Sequence, residues 1–166
     1  MKPRLADLKD LLALTLYPEW AYAFCHLGKD IENRTWAAPA RHHRRWIALH
    51  GGVAVGGIQP RGERYTKRHE EAVIEMVEIA LAAGAPLRLV QLRDVLRCRG
   101  IVALAYLADV RSPMTHRARW HMPGCYGWHF AAVHVLPEPI PCRGALGLWT
   151  VPKPALEMIK KSIDSY

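Results

Sequence analysis

Tyr17-Pro18-Glu19-Trp20, followed by Gly28-Lys29-Asp30-Ile31-Glu32-Asn33-Arg34-Thr35-Trp36, is the stretch on which the architecture turns. Proline is tolerated at the first position of a helix because its missing N–H would have no partner there. Trp20, Ala21, Ala23, Phe24 and Leu27 then supply one apolar face. Gly28 stands where a helix is expected to stop, and Lys29 to Trp36 reads as an extended, largely polar segment, β-compatible at Ile31, Thr35 and Trp36. On an extended backbone Glu32 and Arg34 share a face, so the carboxylate can orient the guanidinium.

Working outward, Ala13 to Tyr17 is an apolar run that predicts a buried strand just before the helix, and Leu5 to Leu12 has helix-compatible spacing. Trp46 to His50 predicts a second strand, closed by Gly51 and Gly52. The longest helical pattern runs from about Thr66 to Ala83, with Val73, Val77, Ala80 and Leu81 inward and Gly84 and Pro86 beyond its end. From Leu87 to Arg99 strand and helix both fit, with helix favoured over Val90 to Arg97. Gly100 to Val110 is a near-continuous apolar run, the pattern of a central strand. His116 to Tyr126 has no period and reads as a loop, and Gly127 to Leu136 alternates as another strand. Pro137, Pro139 and Pro141 are expected to exclude regular structure until Gly144; a short strand over Leu146 to Val151 and a helix over Pro154 to Ile163 complete the chain. These elements predict an α+β fold, a small β-barrel with helices packed around it.

The 166 residues suffice for one sizeable core and suggest a single domain. Lys and Arg outnumber Asp and Glu by 23 to 15, a formal charge of +8, with arginine making up most of the cations. Such a surface attracts polyanions, although a basic balance also serves solubility alone. Cys25, Cys98, Cys125 and Cys142 lie far apart without a CxxC pair or a preceding secretory signal, so a reduced, cytoplasmic setting is expected. No apolar run reaches the roughly 18 to 20 residues that span a bilayer, and no membrane partner is expected.

Lys29, Glu32 and Arg34 present two cations and one acceptor to an anionic, hydrogen-bonding ligand, and Lys29 with Glu32 is the candidate catalytic pair. A solvated ion-pair cluster at a helix end would use the same residues. Trp20, Trp36, Tyr126 and Trp128 are candidates to stack on a base, Trp20 and Trp128 foremost, whereas Trp46 and Trp149 read as core. Arg41, Arg44 and Arg45, together with Arg88, Arg93, Arg97 and Arg99, could follow a phosphate backbone or form a solvated face. His50, Gly51 and Gly52 could form a nest of backbone N–H groups. His116, His121 and Cys125 match no zinc spacing, and no metal is expected.

Lys29, Glu32 and Arg34 also match the KxxExR portion of the GxKxxExR signature of ASCH domains, with Leu27 where that family has its first glycine. The chain resembles the family over nearly its whole length in segment order: strand, Pro-Trp helix, Lys-Glu-Arg turn, Trp46 to His50, Gly100 to Val110, Gly124 to Trp128 and Pro137 to Trp149. The resemblance implies one PUA-like barrel over residues 1–166 with a helical insertion at 60–86, and a basic cleft that accepts single-stranded RNA, DNA or a modified nucleoside without a cofactor. It leaves oligomeric state open. Small bacterial members hydrolyse N4-acetylcytidine with a Lys, a Thr and a strand Glu. Lys29 matches that lysine, Glu32 stands in the threonine's place, and Ala103, Ala105 and Tyr106 occupy the strand where the glutamate is expected. An amidohydrolase or ribonuclease centred on Lys29 is therefore the alternative to a binding module.

Overall fold

The structure, a computed structural model, describes residues 2–57, 66–86, 89–114 and 119–164. Ten regular elements follow one another among the described residues: β1 (Leu12–Leu16), α1 (Pro18–His26), β2 (Ile31–Arg34), β3 (Arg45–Gly51), α2 (Lys67–Ala82), α3 (Leu92–Arg97), β4 (Gly100–Arg111), β5 (Tyr126–Ile140), β6 (Leu148–Thr150) and α4 (Lys153–Asp164). Short 3₁₀ turns cover Leu5–Leu8 and Ala40–His42.

The six strands form one mixed sheet in the order β2-β5-β4-β3-β1-β6, curled as a half-barrel. Only β1 and β3 run parallel; the other neighbours are antiparallel. Both faces of the sheet are covered, and strand alternation assigns each residue to a side. Leu14, Leu16, Ile47, Leu49, Ala103, Ala105 and Leu107 face the core built with α1, α2 and α3. Ala13, Trp46, Ala48 and Leu104 face a second core with Leu8, Leu11 and, from α4, Ala155 and Ile159. This double burial is why Trp46 to Leu49 of β3 and Ile101 to Leu107 of β4 are continuously apolar rather than alternating. No described helix is long and apolar enough to cross a membrane.

The structure corrects three local expectations. β5 continues through Pro137 and Pro139 to Ile140 instead of stopping at Leu136. It can do so because β2 pairs only with Tyr126 to His129, which leaves the far side of β5 without a neighbour to receive an N–H. On the near side, pairing with β4 passes from Val135 to Ile140 across an irregularity that spans both prolines. On α2 the buried positions are His69, Val73, Met76 and Ala80, with Leu81 exposed, so the inward face is rotated from the predicted one. The last strand begins at Leu148, two residues later than expected, and Leu146 stands in solvent. Residues 60–65 of the expected insertion, and Arg88, lie outside the described residues.

Among the described glycines, Gly51 leaves the least room for a side chain, where the end of β3 meets the turn after α3. A Cβ there would lie 1.6 Å from the Cys98 carbonyl oxygen, a backbone atom fixed by the Cys98 N–H bond to Val95. Gly51→Ala is expected to destabilise the protein by about 3 kcal/mol, the upper range for overpacking, because backbone and not a side-chain tip must yield. Urea unfolding of the two proteins side by side measures it; an unchanged midpoint would contradict the close approach.

Candidate functional site

Lys29 is placed by the end of α1. The Leu27 and Lys29 amides both close on the Ala23 carbonyl, at 3.0 and 3.2 Å. Gly28 makes the turn between them with φ +71, in the left-handed region. The chain then enters β2, whose alternation puts Glu32 and Arg34 on one face as predicted.

The three charged side chains meet at Glu32. Its Oε2 lies 3.7 Å from Lys29 Nζ and its Oε1 3.2 Å from Arg34 Nη2. Lys29 is buried, donates a hydrogen bond to the Ile31 carbonyl, and lies 5.2 to 5.4 Å from the ring centres of Phe24, Trp20 and Trp120. Burial lowers its pKa; the Glu32 carboxylate, and beyond it Asp30, oppose the shift, while Arg34 adds to it. Arg34 reaches across the curl of the sheet, donating from Nη2 to the Thr15 carbonyl of β1 at 2.8 Å. Its Nε is buried with no protein acceptor.

Two hollows open on either side of this carboxylate. The larger, about 1090 Å³, is lined among others by Trp20, Glu32, Arg34, His50, Arg99 and Arg143. The smaller, about 470 Å³, is lined among others by Lys29, Trp20, Glu32, Arg119 and Trp120. Trp20, Glu32 and Asn33 belong to both walls. Lys29 and Arg34 thus converge on one carboxylate from two chambers, and the two cations do not share a single hollow.

Glu19, Asn33 and His50 brace these walls. Glu19, only 2% exposed, accepts the Gly56 N–H on Oε1 at 2.7 Å and tethers the segment that follows β3. Its other oxygen is buried without a partner, and burial raises its pKa. Asn33 donates to the Trp120 carbonyl and accepts the Met122 N–H, both at 2.8 Å. This double clamp holds Trp120 at φ +65, a conformation bulky residues rarely adopt. His50 Nε2 pairs with the Cys142 carbonyl at 2.9 Å, and burial lowers its pKa.

The remaining candidates are dispersed. Trp128 is wholly buried, packs edge-on against Trp36 and donates its indole N–H to the Trp36 carbonyl at 3.1 Å. It is a core residue and lines neither hollow, which corrects its expected place in the cleft. Tyr126 is half-buried opposite Arg34 on β5, also outside both linings. Arg41 lies in the 3₁₀ turn Ala40–His42, and Arg44 and Arg45 lie at the start of β3, where Arg45 is roughly 17 Å of strand from the end that lines the cleft. Arg93 and Arg97 are exposed on α3 and outside both linings. His50, Gly51 and Gly52 do line the larger hollow, but the Gly52 N–H is taken by the Leu16 carbonyl at 2.9 Å, so no nest of free amides forms. His121 meets the Cys125 carbonyl at 2.8 Å, and His116 lies outside the described residues.

Sequence reasoning did not single out Arg143, Arg119 or Trp120. Arg143 falls in the proline-rich stretch, where no periodicity marks a side chain's direction. No family model matches the chain, and no curated protein matches it in sequence.

Two consequences are measurable. NMR titration of Lys29 should give a midpoint below the ordinary 10.5. In Glu32→Gln the midpoint should fall further, because the carboxylate that supports the ammonium is gone; a rise would contradict the assigned cause. For Glu19 the raised pKa means the folded state holds its proton more tightly than the unfolded chain. Its contribution to stability is therefore greatest at acid pH and is lost as pH rises through the raised pKa. Glu19→Gln retains the acceptor for Gly56 and cannot titrate. Its Tm should gain on that of the wild type as pH rises from the ordinary glutamate range through the raised pKa, and a difference constant with pH would refute a raised pKa.

Proposed function

We propose that this chain is an ASCH-type, PUA-like module that holds one nucleotide of single-stranded RNA or DNA in the hollows around Glu32. The observation carrying this reading is the larger hollow itself, whose wall includes Arg34, Arg99 and Arg143 and the single carboxylate of Glu32, beside Trp20. Three arginines and one acid on the wall of one hollow favour a phosphate-bearing ligand, since arginine's planar fork matches phosphate oxygens. The buried Arg34 Nε, lacking a protein acceptor, is a donor waiting for one.

The base would stack on Trp20, which borders both chambers, and any base offers the π-face this needs. Glu32 can accept from an exocyclic amine, as acidic side chains do from cytosine. The distant Arg41, Arg44 and Arg45 and the exposed Arg93 and Arg97 would then act only on flanking phosphates of a longer strand.

A second reading draws on Lys29. A buried ammonium with a lowered pKa yields its proton more readily than a surface lysine, and it adjoins the smaller hollow. In this reading the amine is the nucleophile or base of an N4-acylcytidine amidohydrolase or a ribonuclease, with Glu32 as its partner.

Titrating short RNA and DNA oligonucleotides while following tryptophan fluorescence tests the binding reading. Affinity should fall as salt rises, and Arg34→Ala should weaken binding about tenfold or more, the worth of a charge-assisted hydrogen bond. Absence of binding at low salt would reject it. Incubating N4-acetylcytidine and labelled RNA with wild type and Lys29→Ala separates the readings, since only the enzymatic one predicts turnover lost with that change.

A further inference from the structure

Of the seven lysines in the chain, Lys29 alone is buried, at 3% exposure. It nevertheless lines the smaller hollow, whose wall is otherwise largely apolar or aromatic, with Trp20, Ile79, Ala82, Ala83, Trp120 and Met122. At about 470 Å³ this hollow falls within the roughly 300 to 1,000 Å³ of small-molecule sites. Trp20 and Trp120, both on its wall, have their ring centres 5.3 and 5.4 Å from the Lys29 Nζ. A lysine in an apolar pocket is the usual setting of an amine nucleophile, because desolvation favours the form that carries a lone pair. Burial here pushes Lys29 in that direction.

Charge decides what such an amine can attack without dismantling its surroundings. Acylation would turn it into a neutral amide, remove the cation 3.7 Å from Glu32 Oε2 and leave that carboxylate with Arg34 alone. Condensation with an aldehyde gives an iminium instead, which keeps one positive charge on the same nitrogen, beside the same carboxylate. The neighbouring rings favour a cation at that place as much after the reaction as before it. The Lys29–Glu32 pair therefore survives imine formation and does not survive acyl transfer.

We infer that Lys29 forms an imine, in the smaller hollow, with a small aldehyde that also bears an anionic group. Glu32 takes one ammonium proton, Nζ bonds to the aldehyde carbon, and a second proton passes from nitrogen to the new oxyanion. Glu32 then returns the first proton and the hydroxyl leaves as water; no oxidant or reductant is consumed. The anionic group is matched to Arg119, which lines the same hollow. The Arg119 guanidinium lies against the end of α2, where a Cβ on Gly84 would come within 3.3 Å of its Cζ. Among the described residues Arg119 has no ion-pair partner, so its charge is available to a carboxylate or phosphate. The inference shares Lys29 with the enzymatic reading above, but requires neither a nucleic acid nor an acyl substrate.

The test incubates wild-type protein with one equivalent of pyridoxal 5′-phosphate, and in parallel with 5-deoxypyridoxal, which has the same ring and aldehyde without the phosphate. Borohydride then reduces any imine to a stable secondary amine, and peptide mass spectrometry locates it. One label per chain is expected, on Lys29, and several-fold less with the uncharged probe. The six other lysines are internal controls: label spread over them, or an unlabelled Lys29, overturns the inference. Arg119→Ala changes an exposed side chain and should lower labelling by the phosphorylated probe about tenfold, the worth of a charge-assisted contact; undiminished labelling overturns the assignment of the anionic group. Lys29→Arg keeps a cation beside Glu32 and cannot form an imine, so its label should vanish. N4-Acetylcytidine hydrolysed by a protein that takes no label rejects this inference and leaves the enzymatic reading standing, and labelling without hydrolysis does the reverse.

Discussion

The site depends on one carboxylate. Glu32 touches the ammonium of Lys29 on one side and the guanidinium of Arg34 on the other. Lys29 sits among three aromatic rings where burial by itself favours the neutral amine. Removing one member of such a buried pair strands the other, at a cost of about 3 to 5 kcal/mol. The arrangement is held from several directions: Gly28 turns the chain, β2 sets the alternation, and Arg34 is fastened to the carbonyl of Thr15.

The last of these contacts links local chemistry to the fold. β2 is at one edge of the sheet and β1 lies one strand from the other. The Arg34 to Thr15 bond spans that distance through the curl, so a side chain joins two strands that share no backbone ladder. Edge strands expose unpaired groups, and here part of that edge faces a hollow lined with cations. The curl of the sheet thereby produces the cleft, and the charged row of β2 lies along its wall.

The walls are braced by polar side chains bonded to distant backbone. Glu19 tethers the segment after β3, Asn33 clamps the segment around Trp120, and His50 holds the root of the segment that carries Leu146. Each involves a buried or half-buried side chain bonded to backbone far away in sequence. Such contacts rigidify a cleft before anything enters it, which reduces the ordering cost of binding.

Much of this was legible in the order of residues because it rests on local rules. Pro18 opens α1, Gly28 ends it, and the two-residue period of β2 aligns Glu32 with Arg34; each follows from backbone sterics within a few residues. The apolar runs of β3 and β4 likewise announce strands buried on both faces. What could not be read locally concerns which surfaces meet. Trp20 and Trp128 are alike as residues, yet one borders both hollows and the other is sealed in the core by the pairing of β2 with β5. The arginines at 41 to 45 form the densest basic run, but the direction of β3 carries them away from the cleft, while Arg143, without any local pattern, is brought into it. Pro137 and Pro139 remain within a strand because β2 is too short to demand their missing donors. Short-range geometry is written in neighbouring residues, whereas convergence depends on the register and curl of strands distant in the chain, and these are decided only when the whole sheet packs.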